Sequence, residues 1–289
     1  MKVAVVGNGF VGKATSIFGE AQDVTKFIYD IDPTKCDPPD VTLEKIASEC
    51  DLIFVCVPSP MNANTGKCDT SIVEGVVQRL KTIREDAPII VRSTLPPGTC
   101  ESLQVAHIPE YLTEANWRTD FINADEWHLG ISPNLDSHTK LALVFQTLLI
   151  KCQDDDIVRS NMLIIKRSEV TEAAKYFRNA MLSVKISVCN EFKSYCDAID
   201  VEYEDVRDLF TKDSRIGSGH TKVPGPDGKR GFGGTCLVKD LSGLISCMSG
   251  VNSNPIILEA VRKRNNTIDR PEQEWLNDFG RAVTSSNIE

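Results

Sequence analysis

The chain reads as an α/β protein: an N-terminal Rossmann-like, doubly wound parallel sheet followed by an all-α domain with a long central helix. Three observations predict this. Short apolar runs alternate with amphipathic stretches through the first half, the pattern of a sheet covered on both faces. A G-x-G-x-x-G turn, Gly7-Asn8-Gly9-Phe10-Val11-Gly12, follows the first run. From Ser168 to about Asp197 the apolar period becomes helical without interruption.

The elements follow in order. Lys2–Val6 is a run of β-formers, broken by the glycine turn, and Phe10 to Glu20 has a helical pattern. Phe27-Ile28-Tyr29 is a second strand, ending at Asp30. Pro33, Pro38 and Pro39 then predict a trimmed connection rather than a full helix pair. Leu52–Val57, Pro88–Val91 and His128–Ile131 are further strands, with helices over Ser71–Glu85 and Ser137–Ile150. The long helix opens with Ser168 as cap and an acidic first turn. A shorter helix fits Glu202–Thr211, and a loop rich in glycine and proline runs over Lys212–Thr235. Helices follow from about Lys239 and over Pro255–Asn266, with one more short helix after Pro271. Residues 1–165 are expected to form the cofactor domain and 166–289 the helical domain.

Composition narrows the function. The 289 residues carry 41 acidic and 32 basic side chains, a net charge of −9. That balance argues against sequence-independent nucleic-acid binding, which needs a basic surface. No apolar run approaches the roughly 18 residues of a membrane span. Ten cysteines invite a disulfide or zinc reading, but there is no Cys-x-x-Cys pair and the four histidines lie at no zinc spacing. A chain of this length buries its own core, so the expectation is a reduced, cytosolic protein with mostly inert thiols and no metal.

The glycine turn stands where a dinucleotide site requires it, between a strand and a helix. Gly7 permits the tight turn, Gly9 lets the backbone approach a pyrophosphate, and Gly12 lets helix and strand pack closely. Phe10 and Val11 open the helix. Asp30, 23 residues after Gly7, stands where a carboxylate accepts a ribose hydroxyl. It would repel a 2′-phosphate, which favours NAD over NADP. Lys35 can reach the cofactor from the next loop.

A second constellation ends the glycine-rich loop: Gly231-Phe232-Gly233-Gly234-Thr235-Cys236-Leu237-Val238-Lys239-Asp240. A thiol at a loop-to-helix junction, near a lysine, is placed to be a nucleophile. Asp240, four positions on, shares its helix face and can serve as a base towards water.

These residues resemble the active-site motif of the UDP-glucose/GDP-mannose dehydrogenase family. Val57-Pro58-Ser59-Pro60 resembles its V-P-T-P motif, and Ser93-Thr94-Leu95-Pro96-Pro97-Gly98 its S-T-x-P-x-G segment. Pro109-Glu110-Tyr111-Leu112-Thr113-Glu114 resembles P-E-F-L-x-E. Glu172-Ala173-Ala174-Lys175 with Asn179 resembles the E-x-x-K-x-x-x-N helix, and Arg215-Ile216-Gly217 the R-I-G turn. The likeness spans about residues 1–268.

The resemblance implies oxidation of a nucleotide-sugar alcohol to a carboxylate, with two NAD used per turnover and UDP-glucose as the expected substrate. It implies that Cys236 attacks the aldehyde, that the resulting thiohemiacetal becomes a thioester, and that water cleaves it. Lys175 and Asn179 would stabilise oxyanions, and Asp240 would activate water. Thr94 and Glu114 would hold or activate that water, with Glu110 a second candidate base. Tyr111, Leu112, Asn179, Gly233 and Arg215 would meet substrate, Arg215 reaching that of a neighbouring subunit. Pro58, Ser59, Thr94 and Lys239 would touch NAD. His220, Lys222, Lys229 and Arg230 are basic residues of the same loop that could face a diphosphate.

The family's third, nucleotide-binding domain is expected to be absent, because no strand-helix-strand pattern follows Asn266. The long helix is expected to form a homodimer. Two alternatives stand beside the leading reading. One is a two-electron dehydrogenase of the β-hydroxyacid type, which needs no nucleophilic cysteine. The other is a non-catalytic NAD-binding partner subunit.

Overall fold

The computed structural model describes residues 1–284; the last five residues of the expected helical domain lie outside the described residues. The chain divides into two compact units, Met1–Ser59 with Thr70–Lys175, and Pro60–Asp69 with Tyr176–Glu289.

The first unit is a seven-stranded sheet. Its elements are β1 (Lys2–Val6), α1 (Phe10–Thr15), β2 (Thr25–Tyr29), α2 (Leu43–Glu49), β3 (Leu52–Val55), α3 (Ser71–Ile83), β4 (Ile89–Val91), α4 (Thr99–Leu103), β5 (Ala106–His107), α5 (Trp117–Ile122), β6 (Trp127–Ile131), α6 (Asp136–Asp154) and β7 (Leu163–Arg167). The strand order is β2-β1-β3-β4-β5-β6-β7. All neighbours are parallel except β5 and β6, which pair antiparallel at His107 and Gly130.

Alternation along each strand divides the core between two faces. Val3, Val5, Leu52, Phe54 and Ile90 pack with Phe18, Phe121, Phe145 and Leu148 on one side. Ala4, Val6, Ile53, Val55, Ile89 and Val91 pack with Ile46, Val73, Val77 and Leu80 on the other. On the first side Phe18 meets Phe121 and Trp127 with ring centres 4.9 and 5.1 Å apart, both tilted well away from a face-to-face stack.

The structure differs from the sequence pattern at several places. The helix from Phe10 stops at Thr15 and tightens into a 3-10 turn over Ser16–Glu20. The proline-bearing connection holds a one-turn 3-10 segment, Pro33–Lys35, and a complete helix, α2, capped by the Thr42 side chain on the Lys45 N–H. Strands β5 and β7 were not anticipated. The first compact unit runs to Lys175, so the head of the long helix packs with the sheet. Gly130 explains why: a Cβ there would lie 2.8 Å from the Ser168 Cα.

The second unit holds most of α7 (Ser168–Ala198), then α8 (Tyr203–Phe210), α9 (Cys236–Gly250) and α10 (Ile256–Arg264). Its main core joins Tyr176 and Ala180 of α7 to Val238, Leu241, Leu244 and Ile245 of α9. The closing segment completes it with Trp275, Ala282 and Val283, all buried. There Met61 is bracketed by two backbone bonds, its N–H to the Ala282 carbonyl and its carbonyl from the Thr284 N–H, both 2.9 Å. The segment after Pro271 is only a 3-10 turn, Glu274–Asn277. Among the described residues, no helix is long and apolar enough to cross a membrane.

Candidate active site

The cofactor residues lie at the carboxyl ends of β1 and β2. Gly7 has φ +97°, and a Cβ there would stand 2.7 Å from the Cys56 carbonyl oxygen. A Cβ at Gly12 would overlap the Gly7 carbonyl, so helix and turn are in direct contact. Above Gly9, the residue before α1, nothing lies within 4 Å. The turn is thus closed where it packs and open where a phosphate would approach. Asp30 Oδ2 accepts the Asn8 N–H at 2.7 Å and Oδ1 the Asp32 N–H at 3.0 Å, fixing the carboxylate beside the turn. These features fit a dinucleotide. Phe10 and Val11 are half-buried in the first turn of α1. Lys35 contributes its carbonyl to Asn8, while its ammonium pairs with Asp32 at 3.4 Å.

The V-P-S-P and S-T-L-P segments are stitched to each other. Ser59 Oγ donates to the Thr94 carbonyl at 2.7 Å and Ser93 Oγ to the Val57 carbonyl at 2.6 Å. Pro58 is exposed, and Thr94 is buried.

Two buried carboxylates anchor the head of α7 in the first unit. Lys175, 3% exposed, donates to Glu110 Oε2 at 3.1 Å. The other oxygen of Glu110 accepts the Leu112 N–H, so the carboxylate shapes its own loop. Glu172, fully buried, accepts the Gly98 and Cys100 N–H groups at 2.6 and 2.8 Å. Burial pushes its pKa up to about 7, against the pull of those two donors. His107 Nδ1 meets Thr171 Oγ1 at 2.9 Å; burial, with the charges of Arg92 and Lys175, pushes its pKa down to about 3.

The second unit carries the thiol. Helix α9 begins at Cys236 itself, three residues before the expected start, because Thr235 already has helical backbone angles. Cys236 is half-buried at the N-terminus of a 15-residue helix. One turn on, Asp240 is 1% exposed. It accepts Asn179 Nδ2 and Lys239 Nζ, each at 2.6 Å. Burial disfavours the Lys239 charge, but the Asp240 carboxylate and the Cys236 and Cys68 thiols reverse that and raise its pKa. A lysine that stays charged beside a thiol favours the thiolate.

Two family models match this chain. The NAD binding domain of the UDP-glucose/GDP-mannose dehydrogenase family matches residues 39–149, and the central domain of the same family matches 169–267. The chain belongs to this family. Its cofactor is NAD. A UDP-glucose 6-dehydrogenase of Bacillus subtilis is 25% identical over 92% of this chain and 66% of its own length. Other curated relatives are matched over about half their length. Among solved structures, a UDP-glucose dehydrogenase from Pyrobaculum islandicum has a TM-score of 0.78 at 21% identity, covering 92% of this chain and 68% of that one. A 3-hydroxyisobutyrate dehydrogenase from Mycobacterium tuberculosis has a TM-score of 0.68 at 15% identity, covering 93% and 94%. At these identities the structural likeness concerns the fold alone.

The remaining expected residues of this dehydrogenase fold are dispersed. Glu114 is exposed at the start of a one-turn 3-10 helix, and Tyr111 stacks edge-on against His128. Arg215, with its side chain 88% exposed, pairs with Asp213. Lys239, expected on the cofactor, is directed to Asp240. Arg230 is turned to Asp197 and Lys229 to Glu272, while His220 and Lys222 are exposed. Gly233 packs against Arg270 and Glu274, where a Cβ would overlap both side chains.

Sequence reasoning missed the supports of the site. Glu172 was visible only as the first letter of E-x-x-K. His107 and Arg92 carry no signal in the sequence, yet Arg92 is 3% exposed and donates to Thr15 Oγ1 at 2.8 Å. All ten cysteines are free thiols. Burial raises Cys50 and Cys152 to about 12 and Cys56 to about 11, leaving these unreactive.

Proposed function

We propose that the protein oxidises the primary alcohol of a nucleotide sugar to a carboxylate, with UDP-glucose as the substrate, through a covalent intermediate on Cys236. One observation carries this reading. A half-buried thiol begins a helix whose next turn holds Asp240, buried and hydrogen-bonded to Lys239 and to the buried Asn179 of α7. A two-electron dehydrogenase has no use for such a thiol.

Gly7, Gly9 and Asp30 would hold NAD, which supplies the hydride acceptor for each oxidation. After the first oxidation, Cys236 Sγ adds to the aldehyde carbon, and the oxygen takes up charge and then a proton. Lys175 and Asn179, one helical turn apart on α7, present a cation and an amide donor for that charge. The second oxidation leaves a thioester. Water adds to its carbonyl, the C–S bond breaks, and the thiolate is released. Asp240 receives the water proton, and Glu110 is the second candidate base.

A homodimer is part of this proposal. Phe177, Met181, Val188, Phe192 and Tyr195 form an exposed apolar stripe on α7, each between 41% and 66% exposed. Spacings of three, four and seven keep them on one helix face. A second copy of the same stripe would bury it.

The test is NADH formation from NAD and UDP-glucose, with Cys236→Ser beside the parent. Turnover in the parent, and a fall of at least about 10³-fold in the variant, supports the covalent route. Full activity of Cys236→Ser would overturn it.

A further inference from the structure

The loop that delivers Cys236 is held by buried side chains from outside the loop. Surface loops ordinarily satisfy their backbone groups with water. Here three consecutive residues do not. Arg270 Nε donates to the Arg230 carbonyl at 2.6 Å. Asn190 Oδ1 accepts the Gly231 N–H at 3.1 Å. Asn265 grips Phe232 twice, its Oδ1 accepting the N–H at 2.9 Å and its Nδ2 donating to the carbonyl at 3.0 Å. This amide pairs with one residue as a neighbouring strand would.

The three gripping residues are themselves fixed. Asn190, Asn265 and Arg270 are each at most 2% exposed. The Arg270 guanidinium uses its remaining edges on the Glu274 and Asp227 carboxylates, and its backbone N–H bonds the Asn265 carbonyl at 2.7 Å. Gly231, at φ +65°, leaves no room for a side chain: a Cβ would stand 2.5 Å from Asn265 Oδ1 and 2.8 Å from the Asp269 Cβ. A buried, fully paired cation is costly to assemble and has no obvious worth for stability alone. Its placement, contacting the residues just ahead of Cys236, gives it a purpose. Arg270 and Glu274 also lie beyond residue 267, where the match to the central-domain family model ends.

We propose that Asn265 and Arg270 are positioning residues that fix the Arg230–Phe232 backbone and thereby hold Cys236 at the N-terminus of α9. Asn190 on α7 supplies the third fixed point. The inference rests on the reading of Cys236 as the nucleophile, but its test does not need turnover.

The experiment is the rate of Cys236 carbamidomethylation by iodoacetamide between pH 6 and 9, read by mass spectrometry of the Cys236 peptide. It is run on the full chain and on Asn265→Ala, Arg270→Lys and Asn190→Ala, with thermal melting as the folding control. Loss of the grip frees the thiol from the helix N-terminus, whose field favours the thiolate. The expected result for folded variants is alkylation about two- to fivefold slower at pH 7, with the pH profile displaced upward. A merely structural role would lower the melting temperature and leave that profile unchanged. If Asn265→Ala does not fold, Arg270→Lys and Asn190→Ala carry the test. Parent-like rates and profiles in the folded variants would overturn the proposal. A displaced profile in a protein that turns over no nucleotide sugar would uphold the positioning role and defeat the proposed activity instead.

Discussion

His107 and Glu172 show how burial works on single residues in opposite directions. His107 has its pKa moved from an ordinary 6.5 to about 3, so folding favours the neutral ring. Its stabilising contribution is fully present above pH 6.5 and is lost as pH falls towards 3. Glu172 moves from 4.5 to about 7, so its contribution is present below 4.5 and is lost as pH rises through 7. The two effects oppose each other between pH 5 and 6.5. His107→Gln should therefore flatten the acid-side loss of stability measured by urea unfolding, by at most about 1.4 kcal/mol per pH unit. Glu172→Gln should make stability rise more steeply with pH over the same window. Unchanged slopes in both variants would contradict the burial argument. Neither residue announced this in the sequence. A strand-end histidine and the first letter of a helical motif carry no sign of what will cover them. The placements of Cys236 at a helix start, Asp240 one turn on and Asp30 after a strand were legible because they depend on near neighbours in the chain.

At the scale of elements, legibility followed length and repetition. Strands β1 and β3 are unbroken apolar runs, and α3 and α7 repeat their period over several turns. Strand β5 has two residues, too few to show any period. Strand β7 ends the sheet, and its Leu-Ile-Ile-Lys-Arg run is half-buried or exposed throughout, so it lacks a core signature. Helix α2 was hidden by the prolines ahead of it, although Thr42 caps it normally. The glycine turn gives a sharper element-level prediction. Gly12→Ala places a methyl group against the Gly7 carbonyl and should destabilise the fold by about 1–3 kcal/mol. Gly9→Ala meets open space and should change stability by no more than about 0.5 kcal/mol. Yet Gly9→Ala should weaken NAD binding, measured by titration calorimetry, because the methyl group fills the approach to the turn. Equal NAD affinity in Gly9→Ala and the parent would show that no phosphate lies over that turn.

For the whole molecule, the proposed reaction would draw Gly7, Asp30, Glu110 and Lys175 from the sheet unit and Asn179, Cys236 and Asp240 from the helical unit. The exposed stripe on α7 belongs to the same scale. Met181→Asp should convert a dimer to a monomer in sedimentation velocity, since a carboxylate in an apolar interface has no partner. A parent that sediments as a monomer at all concentrations would remove the dimer from the account. The chain spans two thirds or less of the length of its curated relatives, so the activity must be measured on this chain itself. The most direct measurement is the number of NADH formed per UDP-glucose consumed to completion. The covalent mechanism predicts two, with UDP-glucuronate as product. A ratio of one, with an aldehyde released, would contradict a thioester on Cys236.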